Sequence, residues 1–307
     1  MVEQIMRAKQ RLTLAFVGLA ALGTWCPSAR ASYYPEVILS DNPTIYWRLN
    51  DASNSTSAAD SAPLGGSQDG LFRHGFTPGG VTNGVAGIQP PPYLGLEAIN
   101  TASSFNGAEA SPGVWDSAAT DNIRVDTPPT LFGNAYSAEF WFNDRRPFDQ
   151  RLATGYMFSR LDINSPGNYD AIGLTGTDLS RPHTLQFYNG GGTFNFVGTT
   201  VLSTGTWYHV VFVRNNSSVQ LYLDGVLDGS ATVSPTYGGT SNTFIIGIRP
   251  EGSWTYQGLL DEMSIYNYAL TPTQVAAHYN ASVSIPEPAG ISLLGLLGAI
   301  LLAARRR

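Results

Sequence analysis

Short hydrophobic runs, rich in β-branched and aromatic residues, recur all along this chain and are broken by Gly, Pro, Asn and Asp. They fall at 44–49, 102–105, 122–125, 137–142, 156–161, 171–174, 184–188, 193–197, 207–214, 218–223, 226–232, 243–248 and 258–266. Runs of this length and make-up, with such punctuation, predict strands. One hairpin is well marked: Val219, Leu221 and Leu223 alternate with Gln220 and Tyr222, and Asp224-Gly225 supplies the positive φ angles of a two-residue turn before Val226-Leu227. Helix-length apolar periodicity is almost absent. The exception follows Thr271, which can cap a helix with Pro272 in its first turn and Gln274 completing a capping box. Val275, Ala276 and Tyr279 would face the body of the protein. Many short strands with frequent turns predict an all-β sandwich or barrel. Residues 51–70 and 75–92 read as long loops inside that domain, 281–285 as a spacer, and no repeat of 20–50 residues is present.

Composition narrows the class. The chain has 307 residues, 43% hydrophobic and only 13% charged, with 33 glycines. That is enough apolar material for a core, which argues against disorder, and far too little Glu, Lys, Ala and Leu for a helical bundle. Of 17 basic residues, seven lie in the two ends and ten, all arginine, lie in 32–285. Of 23 acids, Glu3 and Glu287 lie in the ends and 21 lie in 32–285, so this stretch carries a balance of −11. An acidic body without a basic cluster argues against nucleic acid and anionic membranes as partners. The one cysteine, Cys26, sits in the first 31 residues, so the body has no disulfide, thiolate zinc site or thiol nucleophile.

The two ends carry specific patterns. Arg7 to Arg11, an apolar run from Leu12 to Trp25, and Ala29-Arg30-Ala31 form the basic, hydrophobic and A-x-A regions of a secretory signal. Cleavage after Ala31 would start the mature chain at Ser32. A retained helical anchor is the alternative, but the run is short of the ~20 residues a span needs. A lipoprotein anchor at Cys26 meets a bulky Trp25 where a small residue belongs. The other end reads Pro286-Glu287-Pro288, an uncharged run from Ala289 to Ala304, and three arginines that would stay in the cytoplasm by the positive-inside rule. The whole of 286–307 resembles the PEP-CTERM sorting signal of Gram-negative bacteria. That resemblance implies Sec export, a transient inner-membrane anchor and processing by an exosortase near Pro286-Glu287-Pro288; an ordinary tail anchor is the alternative.

Between the ends, five pieces resemble one family in its own order. They are Tyr46-Trp47-Arg48-Leu49-Asn50-Asp51 with Ala59-Asp60-Ser61; Ser104-Phe105-Asn106-Gly107; Ser137-Ala138-Glu139-Phe140-Trp141-Phe142; Thr206-Trp207-Tyr208-His209-Val210-Val211 with Leu221-Tyr222-Leu223-Asp224-Gly225; and Leu259-Leu260-Asp261-Glu262 through Leu270. Together they resemble bacterial laminin-G-like domains of the concanavalin A-like lectin/glucanase superfamily over residues 44–280. The resemblance implies a jelly-roll sandwich of two antiparallel sheets over 32–285, with one short C-terminal helix. It also implies that Asp261, with Asp60 as a weaker second, can join backbone carbonyls around one Ca²⁺, which needs six to eight oxygen ligands. The alternative is that Asp261 only accepts hydrogen bonds from loop backbone.

Candidate chemistry is sparse. Glycosidases need two carboxyls across the scissile bond, and the E-x-D-x-x-E strand that a resemblance to the superfamily's glucanases would imply is missing here. Glu139 has Trp141 at the alternate position, and Glu262 has Ser264. His74, His183, His209 and His278 show no metal spacing, and His209 reads as structural. Trp254 and Tyr256, in the Gly-flanked segment 250–258, and Tyr237, in 234–239, are candidate stacking platforms for sugar rings, or else caps of the sandwich edge. Trp47, Trp141 and Trp207 read as core. The sequence reading is therefore a non-catalytic protein of the cell surface or extracellular matrix that binds polysaccharide or a matrix protein. An atypical polysaccharide-active enzyme and a coat component without a specific ligand remain as alternatives.

Overall fold

The strands expected from the hydrophobic runs all form, and several short ones appear between them. The computed structural model describes residues 34–284 apart from 64–67, 75–76, 79, 108, 112–113, 116–119, 126–132, 151–153, 163–168, 178–181, 191–193, 234–241, 251 and 253. The elements are α1 (Tyr34–Ser40), β1 (Ile45–Trp47), β2 (Ser57–Ala58), β3 (Gly70–His74), β4 (Thr77–Pro78), β5 (Thr82–Ala86), β6 (Thr101–Asn106), β7 (Glu109–Ser111), β8 (Val114–Trp115), β9 (Asp121–Val125), β10 (Ala135–Asp144), β11 (Gly155–Asp162), β12 (Tyr169–Leu174), β13 (Leu185–Asn189), β14 (Phe194–Val197), β15 (Trp207–Asn215), β16 (Ser218–Leu223), β17 (Val226–Thr232), β18 (Asn242–Ile246), β19 (Gln257–Tyr266) and α2 (Pro272–Val283). A first sheet has the order β17-β16-β15-β10-β19-β6-β5, with β1 also on β19; a second has the order β14-β13-β12-β11-β18-β9-β3-β2, with β4 on β3. Every neighbouring pair in them is antiparallel. This is the expected jelly-roll-type sandwich.

Alternation along the strands divides their side chains between a core and two outer faces. Tyr136, Ala138, Phe140 and Phe142 of β10 turn inward, as do Phe158 of β11, Ile172 of β12, Phe187 of β13 and Phe244 of β18. Phe187 stacks on Phe212 across the sandwich with ring centroids 5.1 Å apart. One ion pair also crosses it: Arg214 of β15 donates through Nη1 to both oxygens of Asp170 on β12, at 2.6 and 2.7 Å. Tyr136 and Asn189 donate to the same carboxylate at 2.9 and 2.8 Å, so the buried charge pair is well solvated by protein dipoles.

The outer face of the first sheet is not open to solvent. It is roofed by α1, α2 and the segment 87–100, whose Tyr34, Ile38, Ile88 and Leu96 pack on Tyr46 and Trp141 in a second buried cluster. Backbone bonds tie the roof together: Tyr34 N–H donates to Gly95 O, and Gly95 N–H donates to Ser282 O, both at 2.8 Å. A Cβ on Gly95 would fall on the Ala281 carbonyl, so only glycine allows this approach.

The expected cap of α2 forms, with Thr271 accepting from Gln274 N–H and Gln274 answering to the Thr271 backbone. At the Asp224-Gly225 turn both residues have positive φ, 49° and 79°. The expected C-terminal helix is joined by a second, α1, whose seven residues are too few to show a helical period. One expectation is corrected. The expected loops 51–70 and 75–92 hold β2, β4 and β5, which are two to five residues long and poor in large apolar side chains.

Candidate functional site

The outer face of the second sheet carries a cluster of rings. Tyr156 of β11, Tyr169 of β12 and Tyr188 of β13 project from that face, where they pack with Leu161, Ala171 and Trp254. The segment after β18 brings Arg249 over them. Its guanidinium carbon lies 5.6 Å from the Tyr156 ring centroid, 5.5 Å from Tyr169, 5.1 Å from Tyr188 and 5.2 Å from Trp254. Each distance is within the ~6 Å of a cation–π contact. Tyr188, Arg249 and Trp254 are half-buried, while Tyr156 and Tyr169 are buried beneath them. The segment is fixed at both ends: Tyr156 N–H donates to Trp254 O at 2.9 Å, Tyr256 N–H donates to Gly247 O at 2.8 Å, and Ser159 Oγ donates to Ile248 O at 3.1 Å. Trp254 is held at φ +62°, a left-handed conformation costly for a bulky residue. Strain of this kind concentrates where a side chain must be presented in one direction.

The roofed face of the first sheet holds a different constellation. Glu139 of β10, fully buried, accepts from His209 Nε2 at 2.7 Å and Tyr34 Oη at 3.0 Å on Oε1, and from His278 Nδ1 at 2.7 Å on Oε2. The other nitrogen of His278 faces Asp41 Oδ2 at 2.8 Å. Both carboxylates only accept, so both His278 nitrogens carry hydrogen and the ring is an imidazolium. Burial works against that charge, but Glu139 and Asp41 push the His278 pKa up to about 9. Burial likewise opposes a charged Glu139, and His278 and His209 more than offset it, holding its carboxyl well below the usual range.

Next to it, β19 carries one extra residue opposite Phe140, since Glu139 pairs with Ser264 and Trp141 with Asp261. Glu262 sits in this bulge at φ +51°. The bulge turns both Asp261 and Glu262 to the roofed face, where strict alternation would have separated them. Glu262 accepts from Tyr46 Oη, and from Arg48 Nη2 at 2.8 Å; the same Arg48 nitrogen reaches Glu97 at 2.8 Å. Asp261 Oδ2 accepts from Ile88 N–H at 3.0 Å and Asn100 Nδ2 at 2.8 Å. Burial, and then the neighbouring Glu262 charge, raise the Asp261 pKa well above the usual carboxylate range.

The residues expected from sequence are thus dispersed. Trp254 lies on the second sheet's face. Tyr256 is a correction: it is fully buried in the main core with its hydroxyl on Leu259 O at 3.2 Å, because the strand pairing after Gly247 turns it inward, away from any sugar. Tyr237, the cleavage residues Ala29 and Ala31, and Pro286, Glu287 and Pro288 lie outside the described residues. Asp60 and Asp261 share no partner; Asp60 accepts from the backbone of Tyr46, Ala62 and Gln68 at 2.9, 2.9 and 3.1 Å. Among the described residues, no group of three or more His, Cys, Asp or Glu could hold a metal ion, and no helix is long and apolar enough to cross a membrane. His209 is fully buried, with its Nε2 on Glu139. Tyr188, Tyr169, Tyr156 and Arg249 were missed, because alternation shows which side of its own strand a residue takes but not which strands become neighbours.

The described residues thus form a two-sheet antiparallel sandwich with one roofed face and one face bearing a cluster of rings. The chain belongs to the concanavalin A-like lectin/glucanases superfamily, whose Laminin_G_3 family model matches residues 91–276. Over 82 residues, a quarter of this chain, it is 32% identical to human adhesion G-protein coupled receptor D1, of which the match spans 9%. It resembles domain 4 of AbnA, a GH43 extracellular arabinanase from Geobacillus stearothermophilus, solved with arabinotriose, at 21% identity and TM-score 0.52, covering 78% of this chain and 98% of that one. It also resembles the botulinum neurotoxin serotype D ligand binding domain, solved with N-acetylneuraminic acid, at 12% identity and TM-score 0.50, covering 79% of this chain and 51% of that one. A third is the binding domain of Paraclostridial Mosquitocidal Protein 1, at 15% identity and TM-score 0.52, covering 79% and 53%. The chain spans about half the length of those two toxin structures, and at these identities the likeness is one of fold.

Proposed function

We propose that this chain is a non-catalytic carbohydrate-binding protein displayed outside the cytoplasm. On this reading it is exported through Sec on residues 1–31 and sorted by an exosortase at Pro286-Glu287-Pro288. The observation that carries the binding part is the cluster of Tyr188, Trp254 and Arg249 over Tyr156 and Tyr169. Aromatic faces stack on the apolar faces of sugar rings, and a guanidinium beside them bonds the hydroxyls at the ring edge. That two structural relatives were solved with a saccharide bound supports the same ligand class. The non-catalytic part is supported by the acids: Glu139, Asp261 and Glu262 are fully buried under the roof and committed to protein partners, where a polysaccharide does not reach. Display is supported by the secretory-signal pattern of residues 1–31 and the sorting-signal pattern of residues 286–307.

The full chain, kept in mild detergent, is expected to be retained on at least one column of immobilised polysaccharide and to generate no new reducing ends from it. Release of reducing ends would favour the glycoside hydrolase alternative. Tagged protein that stays in the inner membrane with its tail uncut would remove the sorting part.

Asp261 belongs in this reading as a brace. Amide donors face its Oδ2, a raised pKa favours the protonated acid, and a Cβ on Gly87 would collide with it, so it holds the 87–88 backbone to the sheet. One carboxyl among donors does not fit a cation that takes six to eight oxygens. Millimolar Ca²⁺ is therefore expected to move the thermal midpoint by less than about 1 °C relative to EDTA, whereas a site filled at 100 times Kd would add about 2.7 kcal/mol. A rise of several degrees with Ca²⁺ but not Mg²⁺ would make Asp261 a calcium ligand after all.

A further inference from the structure

At the edge of the roof over the first sheet, rings from separate segments gather around one carboxylate. Tyr93 of the segment 87–100, Tyr279 of α2 and Trp207 at the start of β15 are each half-buried there, and Trp141 of β10 lies beneath them, fully buried. The Trp141 ring centroid is 5.0 Å from that of Tyr93 at an interplanar angle of 70°, and 6.1 Å from that of Tyr279 at 27°. Tyr93 Oη donates to Trp207 O at 3.1 Å, which ties Trp207 to the set. The turn between β16 and β17 closes the notch. A Cβ on Gly225 would come within 3.0 Å of Tyr279 Cβ, so this turn sits directly against α2.

Asp224, the other residue of that turn, brings the carboxylate. Its Oδ1 accepts from His209 N–H at 2.9 Å and its own N–H donates to His209 O at 2.8 Å, so the β15 backbone fixes its position. Both phenols sense its charge. Burial, and then Asp224, raise the Tyr93 hydroxyl to about 12, and the same two causes raise that of Tyr279. Burial also raises Asp224 itself, against the bond from the His209 backbone. Among the described residues no cationic side chain bonds this half-buried carboxylate. The His209 ring is committed to Glu139 through Nε2, and residues 32–285 contain no lysine.

A carboxylate partly withdrawn from water and bordered by aromatic faces attracts a cation twice over, through its own charge and through the ring quadrupoles. A hard metal ion needs six to eight oxygens, which ring faces do not supply. A sugar edge calls for donors as well as acceptors, and a carboxylate only accepts. An organic ammonium group suits both elements, because its charge is spread over CH or NH groups that rest on rings while the carboxylate balances it.

We propose that this notch binds a small organic ammonium ion, with its cationic group against Tyr93, Tyr279 and Trp207 and beside Asp224. The site belongs to the first sheet and stands independently of the carbohydrate reading of the second sheet's face. The test titrates choline into the full chain in a maltoside detergent, at ionic strength held constant with NaCl, and follows tryptophan fluorescence. The control is 3,3-dimethyl-1-butanol, which has nearly the same shape without the charge. Choline is expected to give a saturable change at least tenfold tighter than the alcohol. Asp224→Asn is expected to weaken choline about tenfold. Asparagine is favoured at the positive φ of this turn, 49°, and keeps an oxygen for His209 N–H, so the variant removes the charge and preserves the hairpin. Tyr279→Leu, which keeps apolar bulk on the helix but removes the ring face, is expected to weaken choline about fivefold. It decides the question if Asp224→Asn does not fold. Equal affinity for choline and the alcohol would overturn the proposal and leave a plain apolar notch. Undiminished choline binding by a folded Asp224→Asn would overturn it as well, as would the lack of a saturable change with both choline and methylammonium.

Discussion

Glu139→Gln is expected to lower the thermal midpoint of the full chain by roughly 10 °C. The physical cause is the charge left behind. His278 lies between Glu139 and Asp41 with both nitrogens on carboxylates. A glutamine in place of Glu139 would leave an imidazolium buried beside a neutral amide while also breaking the bond pattern of His209 and Tyr34. Breaking a buried pair by removing one partner costs about 3–5 kcal/mol, and each kcal/mol is worth about 2–4 °C in a domain of this size. The double variant Glu139→Gln with His278→Gln is expected to lose less than the sum of the two single changes, since the second removes the stranded charge. Additive losses would show that the two residues do not act as a pair.

The same network sets a pH window. The folded His278 pKa is raised to about 9 from 6.5, so its stabilisation is complete below pH 6.5 and is lost as pH rises through 9. That shift corresponds to something on the order of 3 kcal/mol. Glu139 is lowered from 4.5, so its stabilisation is complete above pH 4.5 and declines as pH falls below that. As far as this pair decides, stability measured by denaturant titration is greatest from about pH 5 to 6.5. A flat profile between pH 6.5 and 9 would contradict the buried imidazolium.

Trp254→Gly is expected to weaken glycan retention about thirtyfold, the effect of removing a central aromatic anchor, while leaving the thermal midpoint within about 2 °C. The two readouts separate because of the backbone. Trp254 holds φ +62°, which glycine adopts without strain, and that relief, on the order of 1 kcal/mol, offsets the packing lost by a half-buried side chain. A variant that keeps full glycan affinity would remove Trp254 from the platform. A variant that unfolds would show the ring to be a structural cap, and Tyr188→Ala, on a regular strand, would then test the platform alone.

Much of the fold was legible because short-range physics wrote it. Strand alternation, Asp224-Gly225 and the Thr271 capping box are satisfied within a few residues, so each shows without knowledge of distant partners. The short strands between residues 57 and 86 were not legible, since Ser57–Ala58 and Thr82–Ala86 carry too few large apolar residues to set a period and pair only because longer neighbours offer them an edge. Tyr256 misled for a related reason. An aromatic beside glycines looks exposed, and only the bonds that close the segment after Gly247 turn it into the core.

Residue order was enough to specify a β sandwich of this superfamily, its turns and its last helix, the export and sorting patterns expected of its ends, and the absence of a superfamily glucanase motif. Which residues meet was left to the packed domain. Trp141, His209 and Glu139 share the roofed face through the β10–β15 register, Asp261 joins Glu262 there because a bulge shifts β19 by one residue, and Arg249 reaches Tyr188 because β18 and β13 belong to one sheet. The reason is that alternation assigns a side chain to one side of its own strand, whereas strand order and register, set by packing of the whole domain, assign its neighbours.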